Sequence, residues 1–517
     1  MVVFFVKRLL MSLLVVLIST VIMYVLVDMS IDPLEDLRIS TAPNKAEQMA
    51  NRIAELRLND PILLRYFDWL RGAAGCLYGS CDLGENWMTN QQVTSLLRGA
   101  VITTIQLVAA STFLAILLGS MVGIVSALRQ YTGFDYAITF LSFLLYSLPV
   151  FWVAVLAKVF LAIDFNDFLA DPTITFAAVV VVAGFVGLVV SSAAGGKGKD
   201  RLRNFGIAAG ATAVLMLYLR VTDWFTEPNI GIVLIALTSV GWAFVVTALS
   251  TGLRNRKALY SALSVAALGC VLWLPMLYVW EWAEDAGILG WPLVFALLLI
   301  GIAVSAGIGL AWGGPDKTRS ARTAALTAIP VAATLFIDRL LQSWDNYNAN
   351  SAIKGRPIAT IGSRTPNLEG DFWIHTIDSF THLLLPTATL ILISFAQYTR
   401  YSRASMLEVM NQDYIRTARA KGLTERTVVM RHAFRNALLP LASIVPIDII
   451  TLLGGAVITE TVFGWFGMGR LFVVSLGANQ QDPVMAYIVI VGILAVVANL
   501  VADLLYAVLD PRIRVAA

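Results

Sequence analysis

AVITTIQLVAASTFLAILLGSMVGIVSA, residues 100–127, runs without one charged side chain. At a rise of 1.5 Å per residue, about 20 apolar residues in helical form cross the roughly 30 Å hydrocarbon core of a bilayer. Lipid offers no partner to a bare peptide group, so the run is predicted to be a helix that satisfies its backbone internally. The closed-barrel alternative needs short segments of alternating polarity, and those are absent.

The same signature recurs along the chain. Twelve spans are predicted, at 9–28, 100–127, 137–163, 173–193, 205–221, 230–252, 259–281, 288–312, 323–341, 383–398, 440–459 and 485–508. Hydrophobic residues make up 58% of the 517 and charged residues 14%, with a mean hydropathy of +0.76. A soluble domain carries about a quarter charged residues. The chain is therefore expected to be an all-α polytopic membrane protein. The first span follows Lys7 and Arg8 and reads as an uncleaved signal anchor, because no small-residue cleavage site follows it.

Loop charge predicts orientation, since lysine and arginine concentrate on the cytoplasmic side. With the N-terminus inside, the acidic segment 29–97 lies outside. Segment 399–436 lies inside, with eight basic residues against three acidic. The loops with Lys197, Lys199, Arg201 and Arg203, with Arg254, Arg256 and Lys257, and with Lys317, Arg319 and Arg322 also fall inside, as does the tail with Arg512 and Arg514. Asp223, Glu227, Glu281, Glu284 and Asp285 fall outside. The net charge of +3 follows from the inner loops rather than from a polyanionic partner, and no nucleic-acid module is present.

Residues 173–341 read as three successive helical hairpins, with similar turns at Gly195-Gly196-Lys197 and Gly313-Gly314-Pro315. Such repetition arises by duplication, or simply because helical hairpins share glycine-rich basic turns. In the outer segment 29–97, an amphipathic helical stretch near 44–71 carries Ile53, Leu56, Leu63, Leu64, Phe67 and Leu70 as its apolar positions. The outer segment 342–382, rich in Asn, Ser, Gly and Pro, reads as loop. Gly119 and Gly123 form a G-x-x-x-G pair suited to helix packing.

The inner segment 399–439 has the most unusual pattern. Asp413 to Leu423, DYIRTARAKGL, predicts a short helix ending at Gly422, and Thr424 is placed to cap a second helix carrying Arg426, Arg431 and Arg435. Ala418, Ala420 and Gly422 suit close approach by a partner, with Arg416, Arg419 and Lys421 fixing register by charge. A basic loop lying on anionic lipid fits the same composition.

The stretch Asp413–Leu423, with Arg431-His432-Ala433-Phe434-Arg435-Asn436-Ala437-Leu438-Leu439-Pro440 after it, resembles the cytoplasmic signature loop of binding-protein-dependent transporter permeases. More narrowly it is similar to the dipeptide/oligopeptide/nickel branch, in its first-type permease subunit. Where the general signature has Glu and Ala, this chain has Arg416 and Thr417, while Ala418 and Gly422 remain. Lys7-Arg8, Asp32-Pro33, Leu148-Pro149-Val150-Phe151-Trp152, Glu460-Thr461-Val462-Phe463 through Trp465 to Gly467-Met468-Gly469-Arg470-Leu471, and Asp510-Pro511-Arg512-Ile513-Arg514 also resemble that family, with Phe466 where Pro is usual.

The resemblance implies a six-helix ABC importer permease core, in 1–163 and 383–517, interrupted by an inserted block at 164–382 with six extra helices. It implies that Asp413, Tyr414, Arg416, Thr417, Ala418, Arg419, Ala420, Lys421, Gly422 and Leu423 dock on an ATPase subunit as a coupling helix. It implies a bacterial inner membrane, a second homologous permease subunit, two ATP-binding subunits that hold ATP and Mg, an extracytoplasmic substrate-binding lipoprotein, and a peptide cargo. Nickel, glutathione and haem are cargoes of related permeases. The chain itself has no G-x-x-x-x-G-K-[ST] run and is expected to be a transport subunit rather than an enzyme.

Asp448, inside a span after Pro446, is a candidate translocation-pathway group or the partner of a neighbouring helix or subunit. Glu460, Phe463, Trp465 and Arg470 are candidates for the outer gate or for contact with the binding protein. Lys158 reads as a snorkelling lysine. Cys76 and Cys81 lie outside, where a disulfide is allowed. His375, His382 and His432 are scattered, so no metal site is expected. The inserted spans are expected to form a peripheral layer poor in intramembrane charge. Two other function classes fit twelve spans: a secondary transporter, which would show two matching halves and several intramembrane acids, and a membrane scaffold whose activity lies in the inserted block.

Overall fold

A computed structural model describes residues 2–196 and 198–509. Lys197 and the Asp510–Arg514 ending lie outside the described residues, as do the side chains of Lys7, Arg8 and Arg426. The described chain is mainly helical, and its strands form a two-stranded ribbon, Glu85–Asn86 against Gln91–Gln92. Eleven helices are long and apolar enough to cross a membrane, or twelve if one bent pair counts as a span.

In chain order, α1 is Val2–Ser30, followed by the short amphipathic helices α2, Lys45–Glu55, and α3, Ile62–Gly75. Helix α4 is Val93–Leu128. Helices α5, Gly133–Ser147, and α6, Val150–Ala170, form the bent pair, at 101°. The single span expected at 137–163 is thus broken, and the reason is local. Leu148, preceding Pro149, takes an extended conformation with ψ 131°, and Pro149 itself has ψ 140°. Proline disfavours helix at the residue before it and supplies no N–H.

Six helices follow in three antiparallel pairs: α7 (Phe176–Ala194) with α8 (Gly198–Val221), α9 (Gly231–Ser250) with α10 (Arg256–Asp285), and α11 (Trp291–Trp312) with α12 (Lys317–Gln342). The α7–α8 pair packs against α5, whereas α9–α12 close into a four-helix bundle. The bundle interior is lined by small residues one turn apart. Ser239, Ala243 and Thr247 of α9, Ala258, Ala262 and Ala266 of α10, Ser305 and Gly309 of α11, and Ser320, Ala324 and Ala328 of α12 are all buried. Small side chains let helix backbones approach closely in lipid, where hydrophobicity itself does not drive helices together. The lipid-facing positions carry large apolar groups such as Val180, Phe185, Leu215, Leu237 and Leu299.

This block is not free of buried charge. Asp338 of α12, with no exposed surface, accepts the backbone N–H groups of Ile230 and Gly231 at 2.9 and 3.0 Å, the Trp273 indole N–H at 2.7 Å and the Gln342 amide at 2.8 Å. A carboxylate with four donors is tolerated in a membrane interior, and here it ties α9, α10 and α12 together.

Helix α13, Phe372–Met410, has 39 residues and a length of about 58 Å. It extends the expected span 383–398 at both ends, so residues 372–382, expected as loop, are helical. Its first turn meets the bundle in an aromatic cluster. Trp373, fully buried, lies edge-on to Trp280 at 5.3 Å and against Phe336 at 5.6 Å, with the Arg339 guanidinium over its ring. Further along, α13 packs on the glycine pair of α4. A Cβ at Gly119 would lie 2.7 Å from that of Tyr398, and one at Gly123 2.9 Å from that of Ser402. Beyond some short turns of helix, the chain continues with α14 (Asp413–Ala420), α15 (Leu439–Gly455), α16 (Val457–Val462), α17 (Met468–Gly477) and α18 (Gln481–Leu509); α18 packs on α15, α17 and α1.

The amphipathic stretch 44–71 divides into α2 and α3, and its buried face differs from the expected one. Leu63, Leu64 and Phe67 are exposed, and Tyr66 and Trp69 are buried. The aromatics win because α1 offers them partners: Tyr66 meets Tyr24 edge-on at 5.4 Å and shares a 3.0 Å hydrogen bond with the Thr20 hydroxyl. The neighbouring Arg65 is paired with Asp28 at 2.8 Å, both side chains being largely buried.

Candidate functional site

Two regions at opposite ends of α13 hold the candidate residues. At its C-terminal end, Asn411 and Gln412 turn the chain into α14. Ile415 and Ala418 are buried against Ile124 and Ala127 of α4, Met406 of α13, and Val428 and Val429. Ala418 therefore faces inward and anchors α14, rather than presenting a small surface to a partner. The outward side carries Asp413, Tyr414, Arg416, Thr417, Arg419, Ala420, Lys421, Gly422 and Leu423, all exposed. Gly422 has φ +73°, the left-handed conformation that glycine adopts without a Cβ penalty. Thr424 caps the next turn, its hydroxyl accepting the Thr427 N–H. The expected second helix is discontinuous, with a π-helical stretch at Val428–Ala433.

The Arg419 guanidinium grips Glu425 across the Gly422 turn, at 2.7 and 3.2 Å. That bond holds the Glu425 carboxyl below the usual carboxylate range and raises Arg419. Arg416 is left as the freer cation, its side chain 71% exposed with Asp413 at 3.7 Å. Asn436 donates to the Tyr414 hydroxyl at 2.9 Å, closing the far side of the segment.

Behind α14, Asp135 at the start of α5 is 2% exposed. It is gripped in a forked pair by Arg403 of α13, at 2.7 and 3.0 Å, and accepts from Ser126 at 2.5 Å and from the Tyr131 N–H at 3.1 Å. This joint locks α4, α5 and α13 beside α14. Sequence reading missed it because both residues sit among unremarkable loop charges 268 positions apart.

At the other end, Glu460 is fully buried. It accepts the Thr104 hydroxyl at 2.6 Å and the Arg470 N–H at 2.9 Å, while Thr104 in turn accepts the Met468 N–H at 2.8 Å. Phe463 and Trp465 are each 1% exposed, and the Trp465 indole donates to the Thr103 carbonyl at 3.0 Å. Burial removes these three from any surface a binding protein could touch in this conformation, and they brace α4, α16 and α17 instead. Arg470 is half-buried over Phe466, 5.5 Å from its ring. Lys158 does not snorkel: it donates to the Val462 carbonyl at 2.5 Å and lies 5.3 Å from the Phe463 ring.

Segment 350–371, part of the 342–382 stretch expected as loop, is loop and is fastened to this region. The Gly362 N–H donates to the Phe463 carbonyl at 2.8 Å. The Asn166 amide exchanges two 2.9 Å bonds with the Ile358 backbone. The Thr365 N–H and hydroxyl bind Asp378 at 3.0 and 2.5 Å. Tyr347, 1% exposed, sits beneath with its hydroxyl 3.0 Å from that of Thr381, and burial raises its phenol pKa.

Asp448 of α15 is half-buried and faces the Tyr398 hydroxyl of α13, without reaching strict hydrogen-bond geometry. Cys76 and Cys81 are joined by a disulfide. Among the described residues no group of three His, Cys, Asp or Glu side chains is arranged to hold a metal ion.

Comparison with known proteins gives this arrangement a context. The family model described as "Binding-protein-dependent transport system inner membrane component" matches residues 115–515. The chain is 37% identical over 224 residues to the oligopeptide transport system permease protein OppB of Mycobacterium tuberculosis, spanning 42% of this chain and 69% of that protein. It is 47% identical over 155 residues to the oligopeptide transport system permease protein AppB of Bacillus subtilis, spanning 30% of this chain and 48% of that one. It is 45% identical over 138 residues to the dipeptide transport system permease protein DppB of Escherichia coli, spanning 27% and 41%. With a match across most of its length, and with the signature loop folded as α14 and its glycine turn, this chain belongs to the family of binding-protein-dependent transport system inner membrane components.

Proposed function

We propose that this chain is the membrane subunit of an ATP-driven peptide importer, and that α14 is the element through which ATP hydrolysis moves it. The observation that carries this reading is the construction of α14. It is short, anchored by Ile415 and Ala418 on the ends of α4 and α13, and charged on its free side. A push on that side is delivered directly to α4 and α13, the two most closely packed helices of the core. Rigid-body motion of packed elements is the physical basis of such coupling. The names of the relatives support peptides as the cargo.

In this reading two separate ATPase subunits bind ATP and Mg, and a second permease subunit supplies the other half of the pathway. An extracytoplasmic lipoprotein delivers the peptide. The loop charges support an inner-membrane orientation with both termini and α14 in the cytoplasm. Asp448, near Tyr398 between α13 and α15, is the group in this chain best placed to meet a peptide on its way through.

The test is the complex assembled with its partner subunits, assayed for both peptide uptake and ATP hydrolysis. Gly422→Pro cannot adopt φ +73°, and Arg416→Glu reverses the freer cation. Each is expected to lower uptake at least about tenfold, the effect of losing a charge-assisted contact, while hydrolysis persists. Arg419→Glu also breaks the internal pair with Glu425, so Arg416→Glu is the cleaner variant. Wild-type uptake in both Gly422→Pro and Arg416→Glu would remove α14 from this role.

A further inference from the structure

A cavity of about 440 Å³ lies on the face of the molecule opposite α14, between α6 and the fastened 352–366 loop. Its lining includes three cationic side chains, Lys158, Arg356 and Arg364, and one carboxylate, Asp167. Among the described residues none of the three cations lies within ion-pair distance of a carboxylate. The loop that carries the two arginines is held at Ile358, Gly362 and Thr365 by the bonds described above, so the cations sit on an ordered frame. Lys158 is positioned too, by the Val462 carbonyl and the Phe463 ring.

An excess of fixed positive charge around a space of this size calls for an anion larger than a single ion. Cavities of roughly 300–1,000 Å³ take small organic ligands. Arginine forks match carboxylates in a bidentate geometry, and lysine adds a point charge. The cavity also adjoins the Val462–Gly464 turn of the bracing region, through Lys158, Ile361 and Gly362.

We infer that this cavity is an entry site that takes the C-terminal carboxylate of a peptide. The inference rests on the peptide-importer reading and deepens it, by assigning a carboxylate-recognition role to a loop that follows the inserted helices. Arg356 and Arg364 supply the carboxylate contacts. Lys158 sets the charge of the inner wall, and with Asp167 counted against the three cations the lining stays net positive.

The experiment uses the full chain assembled with its partner subunits in phosphatidylcholine nanodiscs, with binding followed by calorimetry. The probes are trialanine, trialanine amide and inorganic phosphate. Trialanine is expected to bind about tenfold more tightly than its amide, the difference made by one charge-assisted pair. Arg356→Gln and Arg364→Gln are each expected to erase most of that preference while leaving amide binding unchanged. Both arginines are exposed, so neither substitution threatens the fold. Equal binding of acid and amide, or an unchanged preference in both variants, would overturn the assignment. So would phosphate binding as tightly as trialanine, which marks a small-anion site. Uptake separates this inference from the reading beneath it. Peptide import by the wild-type complex with no preference for acid over amide sinks the site and leaves the importer. A carboxylate preference that depends on the arginines, in a complex that imports no peptide, sinks the importer and leaves the site.

Discussion

The core and the α9–α12 bundle solve the same packing problem with different connections. In the core, buried polar bonds join residues far apart in sequence. Thr104 binds Glu460, Arg403 binds Asp135, and Lys158 binds Val462; Asn166 and Ile358 make a like bond across the bundle's two flanks. In the bundle, small-residue stripes are closed by Asp338, whose donors all lie between residues 230 and 342. The buried carboxylate of the bundle thus finds its donors within the bundle. The bundle meets the core at the aromatic cluster around Trp373, and at the other end of α13 Ala248 and Leu249 of α9 line a cleft with Ala127, Leu407, Arg419 and Glu425. The difference teaches how α9–α12 can sit in the middle of this chain: the long-range bonds outside the bundle bypass it rather than run through it.

The largest expected effect tests the core side of this contrast. Glu460→Leu strands the Thr104 hydroxyl and the Arg470 N–H in a buried site, at about 1–3 kcal/mol for each unsatisfied group. Because these bonds unite α4, α16 and α17, the whole chain is expected to lose stability. Thermal unfolding of the detergent-solubilised chain should shift down sharply, with full-length protein depleted in the membrane fraction. A wild-type melting profile for Glu460→Leu would show that the core is not held at this point.

Asp338→Leu probes the other side. It leaves the Ile230 and Gly231 N–H groups and the Trp273 indole without an acceptor, again about 1–3 kcal/mol each in a buried setting. The damage is expected to stay in the bundle. Limited proteolysis should open new cuts between α8 and α9 and after α12, while α4 and α13 stay protected and peptide uptake stays within about twofold of wild type, the range of surface-level perturbations. Loss of uptake comparable to that of Glu460→Leu would erase the distinction between the two regions.

Much of the core was legible because its signals are local. Long apolar runs gave the spans, and the glycine turn after α14 is written in Lys421-Gly422. The break between α5 and α6 was available in Leu148-Pro149 but was hidden by an unbroken apolar window. Two other features were obscured by the same habit of reading hydropathy alone. Helix α13 continues past its apolar stretch into Arg400 and Arg403 at one end and Asp378 and His382 at the other, where polar residues look like loop. Asp338 lies inside an expected span, and its value depends on N–H groups more than 60 positions upstream. The inward turn of Tyr66 and Trp69, in place of Leu63 and Phe67, depends on Tyr24 and Thr20 of another helix. No periodicity within residues 44–71 carries that information. The carboxylate-site geometry was illegible for a similar reason, since Lys158, Arg356 and Arg364 meet only after folding.

The smallest effect concerns a short-range bond of the core, the Arg419–Glu425 pair at α14. This pair is exposed, so its contribution is about 0.2–1 kcal/mol after solvent screening. Arg419 holds the Glu425 carboxyl below its ordinary value. A carboxyl whose pKa is lowered on folding contributes stability that is present above its unfolded value and is lost as pH falls through its folded value. The contribution is therefore present at neutral pH and fades below about pH 4, near the ordinary glutamate value. Hydrogen exchange of residues 413–427 should quicken by about two- to fivefold in Glu425→Gln at pH 7, the rate equivalent of that energy. The wild-type segment should approach the variant as the medium is acidified, once intrinsic exchange rates are corrected for pH. Protection in α9–α12 should not change. If the variant loosens the bundle as well, α14 and the bundle communicate along α13, and the bundle is part of the coupling machinery rather than a layer beside it.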